Sequence, residues 1–236
     1  MFDAVRVSLS WMTVLPVGRD EIPDSALAGR AMTSLPVVGL VCGLLATAVA
    51  HGVLFLGGGA LLSGILGVAA VLVLTRGMHV DALADTVDGL GSYAAPDRAL
   101  EIMRSGSIGP MGAAALVMVL LAEVAALGAL VESGAWAAPV AAFTLARCLP
   151  VVMLRRGVPA ASPTGFGAMV AGSQTRGAVA GVGLVAVLCG IGLAGATGLG
   201  EVINAGGDAV VNGAVGDGGT ANGGGVTPLG GWTALA

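Results

Sequence analysis

Long runs of apolar residues separated by short polar breaks dominate the chain from residue 35 onwards. Four runs, Leu35–Leu56, Met111–Val131, Ala135–Leu154 and Ala178–Leu199, reach the ~20 residues a bilayer-spanning helix needs. A shorter run, Ala60–Leu74, follows the glycines at 57–59 and becomes a fifth span if the flanking residues join it. Their apolar residues leave no polar face, and their many Gly and Ala residues allow helices to approach closely in lipid. The first residues behave differently. Val5, Leu9, Met12 and the Leu15–Pro16 pair share a face, which predicts an amphipathic helix lying against the membrane. The expected fold class is all-α: a polytopic integral membrane helical bundle of about five spans plus that N-terminal helix. Residues 1–200 form the membrane domain, and 201–236 read as a Gly-rich, low-complexity tail.

Composition supports this picture. Hydrophobic residues make up 56%, mean hydropathy is +0.95, and charged residues are only 10%, against roughly 25% in soluble domains. A net charge of −4, with no basic stretch interleaved with aromatics, argues against nucleic acid as a partner. Cys42, Cys148 and Cys189 have no metal-ligand spacing and read as buried small hydrophobes. The N-terminus lacks the pattern of a signal peptide.

All ten basic residues are arginine, and their placement sets an orientation. Arg6, Arg19 and Arg30 precede the first span, Arg76, Arg98 and Arg104 separate the second from the third, and Arg155, Arg156 and Arg176 separate the fourth from the fifth. The bias of arginine towards the cytoplasm puts these three segments on that side of the cell membrane. Arg147 and Glu123 fall inside spans, where unpaired charge is costly, so a shared cavity or a pairing is expected; Arg147 could instead reach the cytoplasmic face.

The cytoplasmic stretch "TRGMHVDALADTVDGL" (75–90) concentrates three carboxylates. If it is helical, Asp81, Asp85 and Asp88 project from one stripe. Such a stripe repels itself unless a cation compensates, and oxygen ligands alone select Mg²⁺ or Mn²⁺ over zinc. The plainer reading is a set of loop charges solvating a turn. Arg76 and His79 lie upstream and Arg104 downstream, and "GSIGPMG" (106–112), which includes Ser107, can offer backbone N–H groups to an anion at a helix start. A metal site beside an anion clamp predicts a diphosphate substrate. Arg98, Asp97 and Glu101 read as solvated helix charges, and His51 as a packing residue near the interface.

"TRGMHVDALADTVDGLG" followed by "RALEIMRSGSIGPMGA" resembles the signature of the cobalamin-5′-phosphate synthase (adenosylcobinamide-GDP ribazoletransferase) family. The resemblance extends to "TVLPV", "LPVVGLVCGLL", "RRGVPAA" and "AGSQ", covering roughly residues 5–180. It implies a Mg²⁺-requiring membrane enzyme that joins adenosylcobinamide-GDP to α-ribazole or its 5′-phosphate and releases GMP. Under it, Asp81, Asp85 and Asp88 hold the metal. Arg76, Arg104, Ser107 and Arg147 face substrate phosphate, and His79 is a candidate base or hydrogen-bond partner. Two departures accompany the resemblance. Ser105 stands where the family carries a further acid, and "GGGVTPLGG" (223–231) lacks the aspartate of the family's C-terminal motif. A CDP-alcohol-type phosphotransferase, a cation transporter and an inactive family relative are the competing readings. The first places Asp-Gly at the start of its motif, whereas here Asp88-Gly89 comes last.

Overall fold

The computed structural model describes residues 2–17 and 24–196; Arg19 and the Gly-rich segment 201–236 lie outside the described residues. Among the described residues the chain is helical, with one isolated bridge, between Arg155 and Gln174. The helices are α1 (Phe2–Met12), α2 (Ser25–Thr33), α3 (Leu35–Phe55), α4 (Ala60–Thr75), α5 (Met78–Gly91), α6 (Pro96–Met103) and α7 (Pro110–Glu132), then α8 (Ala137–Ala146), α9 (Leu149–Met153), α10 (Phe166–Val170) and α11 (Arg176–Ala196). Their starts follow local chemistry. The Asp24 carboxylate accepts from the Leu27 N–H at 2.7 Å and caps α2, while proline occupies the first turn of α3, α6 and α7, where its missing N–H costs nothing.

Three helices, α3, α7 and α11, are long and apolar enough to cross a bilayer, and the bent pair α4–α5 qualifies as a fourth if taken together. The sequence predicts about five crossings, and two helices account for the difference. α4 has 16 residues, about 24 Å at 1.5 Å per residue, short of a ~30 Å hydrocarbon core. The expected span 135–154 is broken, because α8 stops at Ala146 and α9 resumes at Leu149. Pro150 causes this: it has no N–H for the Ala146 carbonyl, and its ring would collide with that carbonyl in a continuous helix.

α3 is the centre of the bundle. Val38, Cys42, Ala46 and Ala50, which recur every fourth residue, are fully buried, and α3 packs on α4, α7 and α8. Small residues set the crossings. A Cβ at Gly39 would come within 2.7 Å of Thr144 Cα, and one at Gly43 within 2.7 Å of Val140 Cα, so α3 and α8 touch backbone to backbone. α4 and α7 are joined reciprocally: Gly64 faces the Val124 carbonyl and Gly128 faces the Ala60 carbonyl, with no room for a Cβ at either. The outward faces of α7 and α11, with Met118, Leu121, Leu184 and Ile191, are exposed and apolar, as a lipid-facing surface requires.

α1 is helical as its pattern predicts, but the face it buries differs. Ala4, Val7, Ser8 and Met12 are buried, with α1 against α2 and α3. Of the predicted Val5–Leu9–Met12 face only Met12 is buried, with Val5 and Leu9 half-buried, because the helix docks on α2 and α3 along a stripe rotated towards Ala4, Val7 and Ser8.

Candidate active site at the α4–α5 bend

α4 ends in two consecutive left-handed residues, Arg76 (φ 57°) and Gly77 (φ 65°), and α5 leaves at 90°. Gly77 adopts this conformation without penalty, whereas Arg76 does so against the steric preference of a residue bearing a Cβ. The turn carries the acidic stretch out of the α4 axis and lays it across the start of α7. The predicted helix therefore forms, and Asp81, Asp85 and Asp88 occupy one stripe of it.

The three aspartates have different surroundings. Asp81 is exposed and Asp85 half-buried, and neither carboxylate has a hydrogen-bonding or ionic partner among the described residues. Asp88 is 9% exposed. Its Oδ2 accepts from the Gly109 N–H at 2.6 Å and its Oδ1 from the Gly112 N–H at 2.8 Å. Gly109 caps α7 and Gly112 lies in its first turn, so a carboxylate sits on the positive end of the helix dipole. The predicted anion cradle at 106–112 thus exists, and the anion in it is Asp88 itself. Both glycines are required, since a Cβ on either would run into the Asp88 carboxylate. Gly89 is a second close approach, with a Cβ there reaching within 2.6 Å of Met103 on α6.

These observations bear on a metal. No three His, Cys, Asp or Glu side chains among the described residues converge as a ligand cluster. Mg²⁺ is commonly held by one or two carboxylates, with waters and substrate phosphates completing its octahedron. Asp81 and Asp85, one turn apart with unengaged oxygens, fit that arrangement. Asp88, with both oxygens committed to backbone, fits it poorly.

The predicted phosphate ligands are dispersed. Arg104 is exposed and reaches the Ala161 carbonyl at 3.5 Å. Arg76 is exposed, with a nitrogen 3.5 Å from the Trp11 carbonyl. Ser107 hydrogen-bonds Ser105 at 3.0 Å and lines a surface pocket of about 420 Å³ with Asp88, Arg98 and Gly109. Arg98 and Glu101 form an exposed ion pair at 2.7 Å, as expected of solvated helix charges.

His79 and Arg147 lie elsewhere. His79 precedes Asp81 by two residues, a rotation of about 200° around the helix, so it faces away from the stripe. It lines a cavity of about 270 Å³ among α4, α7 and α8 that Arg147 and Glu123 also line. Its Nδ1 is buried without a partner. Burial, and then the Arg147 charge, lower its pKa from 6.5 to about 4, so the ring is neutral at pH 7. Glu123 and Arg147 form no ion pair within contact distance, so the shared-cavity alternative describes them.

Gln174 has a role that its sequence setting did not reveal. It is the chain's single glutamine and is 1% exposed. Its Oε1 accepts from Thr33 at 2.7 Å, and its Nε2 donates to the Gly29 carbonyl and to Ser173, each at 2.8 Å. It ties α2 to the segment before α11 and lines a polar cleft of about 620 Å³ with Ser25, Arg30 and Thr175. The chain's lone glutamine, set in the polar stretch SQTR (173–176) just before an apolar run, was the available signal.

Among the described residues the chain is a helical bundle with helices long and apolar enough to cross a membrane, and it turns an acidic helix across the start of α7, the outline of an integral membrane protein. A family model described as cobalamin-5-phosphate synthase matches residues 4–217, and the chain belongs to that family. Among curated proteins, an adenosylcobinamide-GDP ribazoletransferase of Corynebacterium efficiens is 45% identical over 72% of this chain and 62% of its own length. Proteins of the same description from Corynebacterium glutamicum (40% identical, 73% of this chain, 58% of the relative) and Frankia casuarinae (41%, 73% and 66%) are also similar. The chain thus spans about three fifths of the length of these relatives, 58% to 66%. No solved structure matches it.

Proposed function

We propose that the protein is a Mg²⁺-dependent membrane transferase that joins adenosylcobinamide-GDP to α-ribazole or its 5′-phosphate and releases GMP. The observation that carries this reading is the stripe on α5, where two unengaged carboxylates lie one turn apart inside a segment belonging to the synthase family. In the reaction a ribose hydroxyl attacks the phosphorus bearing the cobinamide arm, a new phosphodiester forms as the bond to the GMP oxygen breaks, and the hydroxyl proton passes to water. Asp81 and Asp85 would hold the cation, which when bound supplies neutralisation of diphosphate charge. Asp88 fixes the start of α7 against α5, so the stripe and the Ser105–Gly109 loop keep one relative position. Arg104 and Ser107 are the assigned contacts to phosphate oxygens, with Arg76 at the bend. His79, neutral and on the other face of α5, serves in this reading as a hydrogen-bond partner rather than as the base. The arginine distribution supports a cytoplasmic site at the cell membrane.

The test is GMP release from adenosylcobinamide-GDP and α-ribazole 5′-phosphate by membranes carrying the chain, with and without Mg²⁺, beside Asp85→Asn. Mg²⁺-dependent release lost in that variant is expected. Absence of release from well-inserted protein would refute the assignment in favour of an inactive relative. CMP release from a CDP-alcohol would favour the CDP-alcohol phosphotransferase reading.

A further inference from the structure

The cavity on the far side of α5 contributes only His79 to the scheme above, yet it is bordered by two of the five buried side-chain polar atoms that lack a hydrogen-bond partner among the described residues. Its walls are mainly apolar, with Val68, Val71, Leu127 and Phe143 prominent. Arg147 borders it where α8 breaks, with its stem against α3; a Cβ on Gly39 would lie 3.0 Å from Arg147 Cγ. The Arg147 Nε and the His79 Nδ1 are both sealed from solvent and have no hydrogen-bond partner. A guanidinium whose Nε finds no acceptor among apolar walls is costly even with the Cys42 thiol beside it, and an anion delivered to it recovers part of that cost. At about 270 Å³ the cavity falls just below the ~300 Å³ at the lower end of small-molecule pockets. It is large enough for a ring system or the first part of a chain attached to one charged group.

We propose that this cavity is a binding site for an acidic amphiphile. The apolar body lies along Val68, Val71 and Leu127, and a phosphate or carboxylate reaches Arg147. Two sources have this chemistry: an anionic phospholipid entering from the bilayer, and a phosphorylated nucleoside with an apolar base. Glu123, on the same cavity, opposes the anion and limits its affinity.

The test uses the protein purified in uncharged detergent, with bound ligand counted by native mass spectrometry. The probes are phosphatidylglycerol and α-ribazole 5′-phosphate, each with body and anion; diacylglycerol and α-ribazole, with body alone; and inorganic phosphate, the anion alone. At least one of the first two is expected to be retained, with retention about tenfold weaker in Arg147→Gln through loss of a charge-assisted contact. Retention should rise in Glu123→Gln. Which probe responds identifies the source, and because the lipid arm is independent of transferase activity, the site can stand if the proposed reaction fails. Binding of the uncharged bodies as strongly as their phosphates, or of inorganic phosphate as strongly as either amphiphile, would overturn the proposal. So would unchanged binding in Arg147→Gln. If that variant does not fold, Glu123→Gln decides alone: tighter binding supports the site, and unchanged or weaker binding overturns it.

Discussion

Replacing Asp88 by Asn separates a positioning role from metal ligation. The carboxylate accepts two backbone N–H bonds, at 2.6 and 2.8 Å, at the start of α7. Asn keeps one acceptor and turns its amide donors towards the other N–H. The lost bond to a charged group is worth about 1.5–3 kcal/mol, and loss of the charge from the helix N-terminus adds about 0.3–1 kcal/mol. The sum, about 2–4 kcal/mol, falls locally on the junction of α5 with α7. Hydrogen exchange of the Gly109 and Gly112 amides, measured in nanodiscs, should accelerate by between one and three orders of magnitude. Asp81→Asn and Asp85→Asn remove no protein contact and should cost within about 0.5 kcal/mol, leaving those amides protected while raising the Mg²⁺ needed for half-maximal GMP release. The reasoning is refuted if Asp88→Asn leaves amide exchange unchanged and shifts the Mg²⁺ requirement as Asp81→Asn does.

Gln174→Ala removes the amide that bridges the Thr33 hydroxyl and the Gly29 carbonyl, which keep their mutual 3.3 Å bond; a loss of about 1–2 kcal/mol should appear as faster proteolysis between α9 and α11. Gly64→Val forces a side chain into the Val124 backbone and should leave little monodisperse protein after detergent extraction, whereas Gly190→Val, which meets nothing within 4 Å, should be tolerated. His79 has a pKa lowered to about 4, below the unfolded value near 6.5. The stability it contributes is therefore complete above about pH 6.5, declines below that as the unfolded state takes up protons, and is fully lost once pH passes below 4. Thermal unfolding followed from pH 7.5 to 4 should show a smaller decline in His79→Gln than in the parent protein.

The long runs of α3, α7 and α11 were legible because in lipid the apolar residue count alone selects a helix. The break in 135–154 was legible in principle at Pro150 but was outweighed by uniform hydropathy, which does not register a missing N–H. The aspartate stripe followed directly from helical spacing. Which aspartate was already engaged did not, because the partners of Asp88 are the backbone N–H groups of Gly109 and Gly112, far along the chain. The Gly-rich entry "GSIGPMG" was read as a place for a substrate anion, and the carboxylate found on its N–H groups comes instead from Asp88 of the neighbouring helix. Opposite faces of α5 explain why His79 appears beside Asp81 in sequence and lies away from it in space.

The left-handed pair at Arg76–Gly77 determines how far the acidic helix reaches. Run straight from Ala60 to Gly91, the chain would make a 32-residue rod of about 48 Å, far exceeding the bilayer core and standing its aspartates up in the water. Folded over by 90°, the same residues form a shelf flush with the bundle's end. A ligand held at the membrane surface would meet that shelf by diffusion in two dimensions rather than three.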